Sequence, residues 1–119
     1  MDRLDFQHRE LAAGKWETMP FSQQMGNIGS EVSRALKWQA KGRTERSEKA
    51  FFRALELLDL TIEAAKNENA RPNGKLRELC RAREELCDYF HGENQFLTRP
   101  EKLIRYYDQF AFLVNRTAP

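Results

Sequence analysis

The chain has 119 residues, room for one domain, and at that length it buries roughly 65% of its unfolded surface without staples. Charged residues make up 32% and apolar ones 40%, which suits a helical bundle, and a net charge of +2 gives no global field toward nucleic acid. No run approaches the ~20 apolar residues of a membrane span and the start lacks a signal-peptide core, so a cytoplasmic protein with no membrane partner is expected.

Residues 1–17 read as a short helix or arm. Leu4 and Leu11 share a face with His8 between them, Gly14 ends it, and Trp16 is placed to staple it against Phe21 or a near neighbour. The first long helix carries Phe21, Met25, Ile28, Val32 and Leu36 at steps of four, three, four and four, the spacing of one helical face. Pro20 suits its start, with Thr18 as the cap. Beside this stripe run Ser22, Gly26, Gly29 and Ser33. An interior glycine costs roughly 1 kcal/mol against alanine, and close approach of another helix is what would offset it. The run lacks both nucleotide-binding glycine patterns.

After Lys41-Gly42-Arg43-Thr44 a second helix starts at Thr44 or Ser47 and carries Phe51, Leu55, Leu58, Ile62 and Ala65 on one face. Ala50, Ala54 and Leu57 widen that arc, so this helix should touch two neighbours and be the most enclosed. Phe52 and Leu60 fall outside it, among Lys49, Arg53, Glu56, Asp59 and Glu63. With Gly26 and Gly29 they are the candidate subunit interface.

Asn67 to Gly74 is rich in turn formers and broken by Pro72, a loop. A third helix runs from Lys75 to His91, stopped by Gly92 at C′. Its stripe is Leu76, Leu79, Arg83, Leu86 and Phe90. Arg83, alone among apolar neighbours, is expected to form a buried ion pair with Glu31, Glu56 or Asp59. Glu93 to Leu97 is a connection, and Thr98 with Glu101 forms a capping box around Pro100. The fourth helix carries Leu103, Tyr107, Phe110 and Val114, with Ile104, Tyr106, Ala111 and Leu113 flanking. The pattern predicts an all-α, single-domain fold, an antiparallel up-down four-helix bundle.

Few residue patterns point to chemistry. Cys80 and Cys87 lie about 10 Å apart along a helix, beyond the ~7 Å a disulfide bridges. Cys80, Glu84, Cys87 and His91 line a stripe about 16 Å long, too long for one ion to gather all four. Neither a metal nor a cofactor is expected. The two histidines are not placed beside a serine or cysteine, so no catalytic residue is assigned. Arg77 and Arg81, with Lys75 and Arg83, make the first half of the third helix basic. They are the nucleic-acid candidates, interrupted by Glu78, Glu84 and Glu85.

Two resemblances bear on function. Glu56-Leu-Leu-Asp59 and Glu85-Leu-Cys-Asp88 resemble the paired acidic motifs of the all-helical nucleotide pyrophosphatases, which implies Mg²⁺-dependent hydrolysis. The run from Gln23 to Val32, followed by Ala50 to Asp59, resembles two groups of small prokaryotic four-helix bundles. One is encoded by ribosomal-RNA intervening sequences and has an Asn-Ile-x-Glu-Gly run; here Glu31 comes one residue later and no glycine follows it. The other is the HEPN group, whose Arg-x(4–6)-His spacing Arg3 and His8 match. These resemblances imply homo-oligomerisation and RNA association. The leading expectation is a non-enzymatic, self-associating protein-interaction module, a dimer, with an RNA-associated bundle and a Mg²⁺-dependent pyrophosphatase as alternatives.

Overall fold

The breaks between helices fall where the backbone must leave the helical region. Gly42 has φ +74, and its N–H donates to the Gln39 carbonyl at 3.0 Å. Arg43 N–H donates to Trp38 O at 2.9 Å, which completes a Schellman stop after the first helix. The computed structural model describes residues 14–68 and 74–117. A short 3₁₀ turn, Trp16–Thr18, precedes α1 (Phe21–Ala40), α2 (Thr44–Glu68), α3 (Gly74–Phe90) and α4 (Pro100–Thr117). Among the described residues no strand occurs, and the all-α four-helix fold is that expected from the periodicity. The N-terminal face built on Leu4, His8 and Leu11, the Arg3–His8 spacing, and residues 69–73 of the expected loop lie outside the described residues.

Contact registers explain how the helices meet. Ser47 Oγ donates to Ala35 O at 2.8 Å, Arg53 binds Glu31, and the Trp16 indole N–H donates to Thr61 Oγ1 at 2.9 Å. Partners therefore descend toward the 3₁₀ turn as they ascend α2. On the other side of α2, Phe51 meets Phe90 while Asp59 meets Arg83. Phe21 packs edge-on against Phe110 at 5.7 Å, joining α1 to α4. Thus α1 lies between α2 and α4, and α2 between α1 and α3. α3 and α4 approach far less closely and are joined by long side chains.

Burial follows from that order. Met25, Ile28, Val32 and Ala35 of α1 and Ala50, Phe51, Ala54 and Leu58 of α2 are almost fully enclosed. Each large one contributes about 1.5–3 kcal/mol by leaving water. α3 buries only Leu79 and Leu86 among its side chains. Leu76 and Phe90, expected in the same stripe, are half-buried because α4 stands off on that side.

Three local expectations change. Thr18 does not cap α1; its hydroxyl donates to Lys15 O at 2.7 Å, and Pro20 occupies the N-cap position. Trp16, expected to staple against Phe21 or a near neighbour, docks its indole against α2 through Thr61 and accepts a bond from Gln24 Nε2 at 2.8 Å on its carbonyl. The capping box at Thr98 and Glu101 does not form, since Thr98 Oγ1 donates to Glu85 Oε2 at 2.9 Å. Gly92 follows α3 as expected, yet not for a left-handed turn: a Cβ there would lie 3.0 Å from Asp88 Cα and from Asp88 O.

Candidate functional site

The loop between α3 and α4 is the most elaborately built segment of the surface. Asp88, one turn from the end of α3, accepts Gln95 N–H at 2.9 Å on Oδ1 and Phe96 N–H at 3.1 Å on Oδ2. Asn94 then binds Thr98 in both directions, receiving its N–H at 2.9 Å on Oδ1 and donating Nδ2–H to its carbonyl at 3.0 Å. Leu97 N–H closes the turn on Asn94 O at 3.0 Å. Asn94 and Leu97 both take positive φ, 51° and 53°. Asn tolerates that region, whereas a leucine held there costs roughly 1–2 kcal/mol. The strained residue is also the most exposed large apolar side chain among the described residues, at 83%, beside Phe96 at 59%.

The surface continues onto α4. Ile104, Asp108 and Phe112 recur at steps of four on one face, with Ile104 and Phe112 exposed. Leu97 lines a shallow depression with Arg99, Glu101, Lys102 and Arg105. Lys102 is tied to Glu85 at 2.8 Å, while Arg99, Arg105 and Asp108 make no ion pair among the described residues. Ordered backbone, strain and exposed apolar side chains in one place are the marks of a contact surface.

The residues singled out from sequence are distributed differently. Phe52 and Leu60 are half-buried and pack on the chain's own core; the Phe52 ring lies 5.4 Å from both Phe51 and His91. Gly29 is buried against α4, where a Cβ would meet Tyr107 Cβ at 2.6 Å, whereas Gly26 faces open space. The small-residue stripe thus narrows to a single close approach, within the chain.

Arg83 pairs with Asp59 at 2.7 Å, and with 41% and 53% of the two side chains exposed this is a surface pair, against the expectation of a buried one. The Asp59 carboxylate hydrogen-bonded to it raises the guanidinium pKa further. The reason is the sparse burial of α3, which leaves Arg83 at the edge of the bundle. A more enclosed ion pair is that of Glu31 with Arg53 across to α2, and Glu31 also binds the half-exposed Arg34 along α1. Glu56 is half-buried on α2.

The two acidic pairs do different work. Asp59 holds Arg83, Glu85 holds Thr98 and Lys102, and Asp88 ties down the loop. Among the described residues no three His, Cys, Asp or Glu side chains group to hold a metal ion. Cys80 and Cys87 are free thiols, and burial pushes the Cys87 thiol up. His91 stacks on Phe51 at 4.8 Å. Arg77 and Arg81 are exposed on α3, where Glu78 and Glu84 alternate with them.

Phe96 and Leu97 escaped the sequence reading because they sit in a connection. The available signal was two adjacent large apolar residues within an otherwise polar linker, Glu93 to Thr98. No helix among the described residues is long and apolar enough to cross a membrane. The chain matches no protein-family model, no curated protein and no solved structure.

Proposed function

We propose that this chain is a non-enzymatic interaction module that pairs with a second copy of itself through the α3–α4 loop and the outer face of α4. The observation that carries the reading is Leu97, 83% exposed and held at positive φ by a hydrogen-bonded loop. A pre-organised apolar contact loses little entropy on binding, so its burial converts efficiently into affinity. The charge pattern favours a second copy as the occupant. A two-fold pairing that crosses near Asp108 sets Ile104 of one copy beside Phe112 of the other. The same symmetry brings the two Asp108 side chains together at the axis, and each Arg105, one turn away and like Asp108 not ion-paired among the described residues, is placed to neutralise them.

Sedimentation equilibrium tests this. Leu97→Gly removes the apolar contact at a backbone position that suits glycine, so the fold is retained while the dimer weakens by about tenfold or more. Arg105→Asp and Asp108→Arg each weaken the dimer, and the double exchange restores it. A wild-type chain that stays monomeric at about 0.1 mM, well above the range of specific dimers, refutes the reading. So does a double exchange that fails to recover what the single ones lose.

A further inference from the structure

The opposite side of α4 holds a second feature. α3 and α4 are spaced apart by a cleft of about 310 Å³, at the lower end of the range of small-molecule pockets. Its inner wall is Leu103 and Tyr107, both almost fully buried, with Ala82 beside them. The Tyr106 and Tyr107 rings meet at 84° with centroids 4.9 Å apart, so one side of the cleft is a corner of two aromatic rings. Such a corner offers a face and an edge to a third ring.

The polar groups around this corner are unequally employed. Glu85 is held by Thr98 and Lys102, and Glu78 accepts the Tyr106 hydroxyl at 2.7 Å, so both carboxylates are oriented by the protein. The Tyr107 hydroxyl has no hydrogen-bond partner among the described residues, and although the residue is only 3% exposed, its oxygen is not sealed from the cleft. Burial, with the Glu85 charge nearby, raises its pKa, so it is a neutral hydroxyl with a proton to donate. Arg81 lines the same cleft from the exposed side and makes no ion pair among the described residues. A hydroxyl at the cleft wall with no protein partner and a guanidinium with no ion pair thus flank one aromatic corner.

We infer that the α3–α4 cleft is a binding site for a small aromatic monocarboxylate. The ring lies in the corner made by Tyr106, Tyr107 and Leu103, and the carboxylate is taken by Arg81. The Tyr107 hydroxyl donates to the ligand's inner edge. Charge-assisted bonds from a guanidinium to a carboxylate are short and directional, which gives the site its preference for an anion over a neutral analogue. The site lies on the face of α4 opposite Ile104, Asp108 and Phe112, with Lys102 lining both the cleft and the depression at Leu97, and its ligand contacts do not depend on the dimer proposed above.

The test is NMR titration of the full chain with phenylacetate, using 2-phenylethanol as the uncharged control. Phenylacetate is expected to shift the backbone amides of Ala82, Leu103 and Tyr107 in a saturable way. Arg81→Gln should weaken it by about tenfold, the worth of one charge-assisted contact. Tyr107→Phe, which keeps the ring and hence the packing, should weaken it several-fold. The alcohol should bind more weakly than the acid. Shifts that fail to saturate by about 10 mM overturn the inference, since that limit corresponds to a negligible specific affinity. Equal binding by wild type, Arg81→Gln and Tyr107→Phe overturns it as well, as does an alcohol that binds as tightly as the acid.

Discussion

Replacing Gly29 by alanine probes how closely α4 lies on α1. A Cβ built on Gly29 would sit 2.6 Å from Tyr107 Cβ and 3.3 Å from its Cγ. Neither atom swings away, because a Cβ is fixed to the backbone and Tyr107 is buried. α4 must therefore retreat from α1, and overpacking of this kind costs about 1–3 kcal/mol. Against that, alanine recovers about 1 kcal/mol of helix propensity. Gly29→Ala is thus expected to destabilise by up to about 2 kcal/mol. Gly26→Ala, one turn earlier in the same helix, meets nothing within 4 Å and keeps the propensity gain of about 1 kcal/mol. The difference between the two variants isolates the overlap, since the propensity change is common to both. At roughly 4 °C per kcal/mol for a domain of this size, the two melting temperatures should part by about 4–12 °C. Thermal unfolding followed by circular dichroism measures it. Equal shifts in the same direction would refute the close approach at Gly29.

Two further outcomes follow from the charges. Arg53→Met leaves the mostly enclosed Glu31 with only the half-exposed Arg34 and should cost about 1–3 kcal/mol, while Arg83→Met removes a surface pair and should cost under about 1 kcal/mol, both read from denaturant midpoints. The reverse ranking would mean that the wrong arginine has been assigned to the interior. Burial raises the pKa of Tyr106, Tyr107 and, less completely enclosed, Tyr89. The native chain then keeps protons that the unfolded chain sheds near pH 10, so stability is whole below about pH 10 and falls as the pH rises beyond it. Ultraviolet titration should place tyrosinate formation later in the native protein than in denaturant; coincident curves would contradict the burial.

Much of the bundle was readable from apolar spacing alone. Met25, Ile28, Val32, Phe51, Leu58 and Ile62 recur at helical steps and all lie inside. The repeat of Leu76, Leu79, Leu86 and Phe90 was equally regular, yet only its middle is enclosed. Periodicity reports which face turns inward, not how near the next helix stands. Capping was legible by letters at Thr98 and Glu101, but Glu85 lies thirteen residues upstream and took the hydroxyl. The same blindness hid the ordered α3–α4 loop. Asp88 looked like half of a metal pair because its partners, the amides of Gln95 and Phe96, carry no side-chain signature. Of the three acids weighed as partners for Arg83 it is Asp59 that binds it, while Glu31 takes Arg53, which lies among the polar residues outside the apolar arc of α2.

The two tryptophans give this chain its own internal instrument. Trp16 is sealed in the core with its indole bonded to Thr61, just before α1 begins. Trp38, near the other end of that helix, lies beneath Lys41 at 5.4 Å and Arg46 at 4.7 Å. About 30 Å of helix lies between the ends they mark. Light emitted from the sealed ring reports whether the 3₁₀ turn is still latched onto α2, and light from the ring under two cations reports the α1–α2 turn. Changing either one to phenylalanine leaves a single lamp, so fraying at one pole becomes distinguishable from melting of the whole.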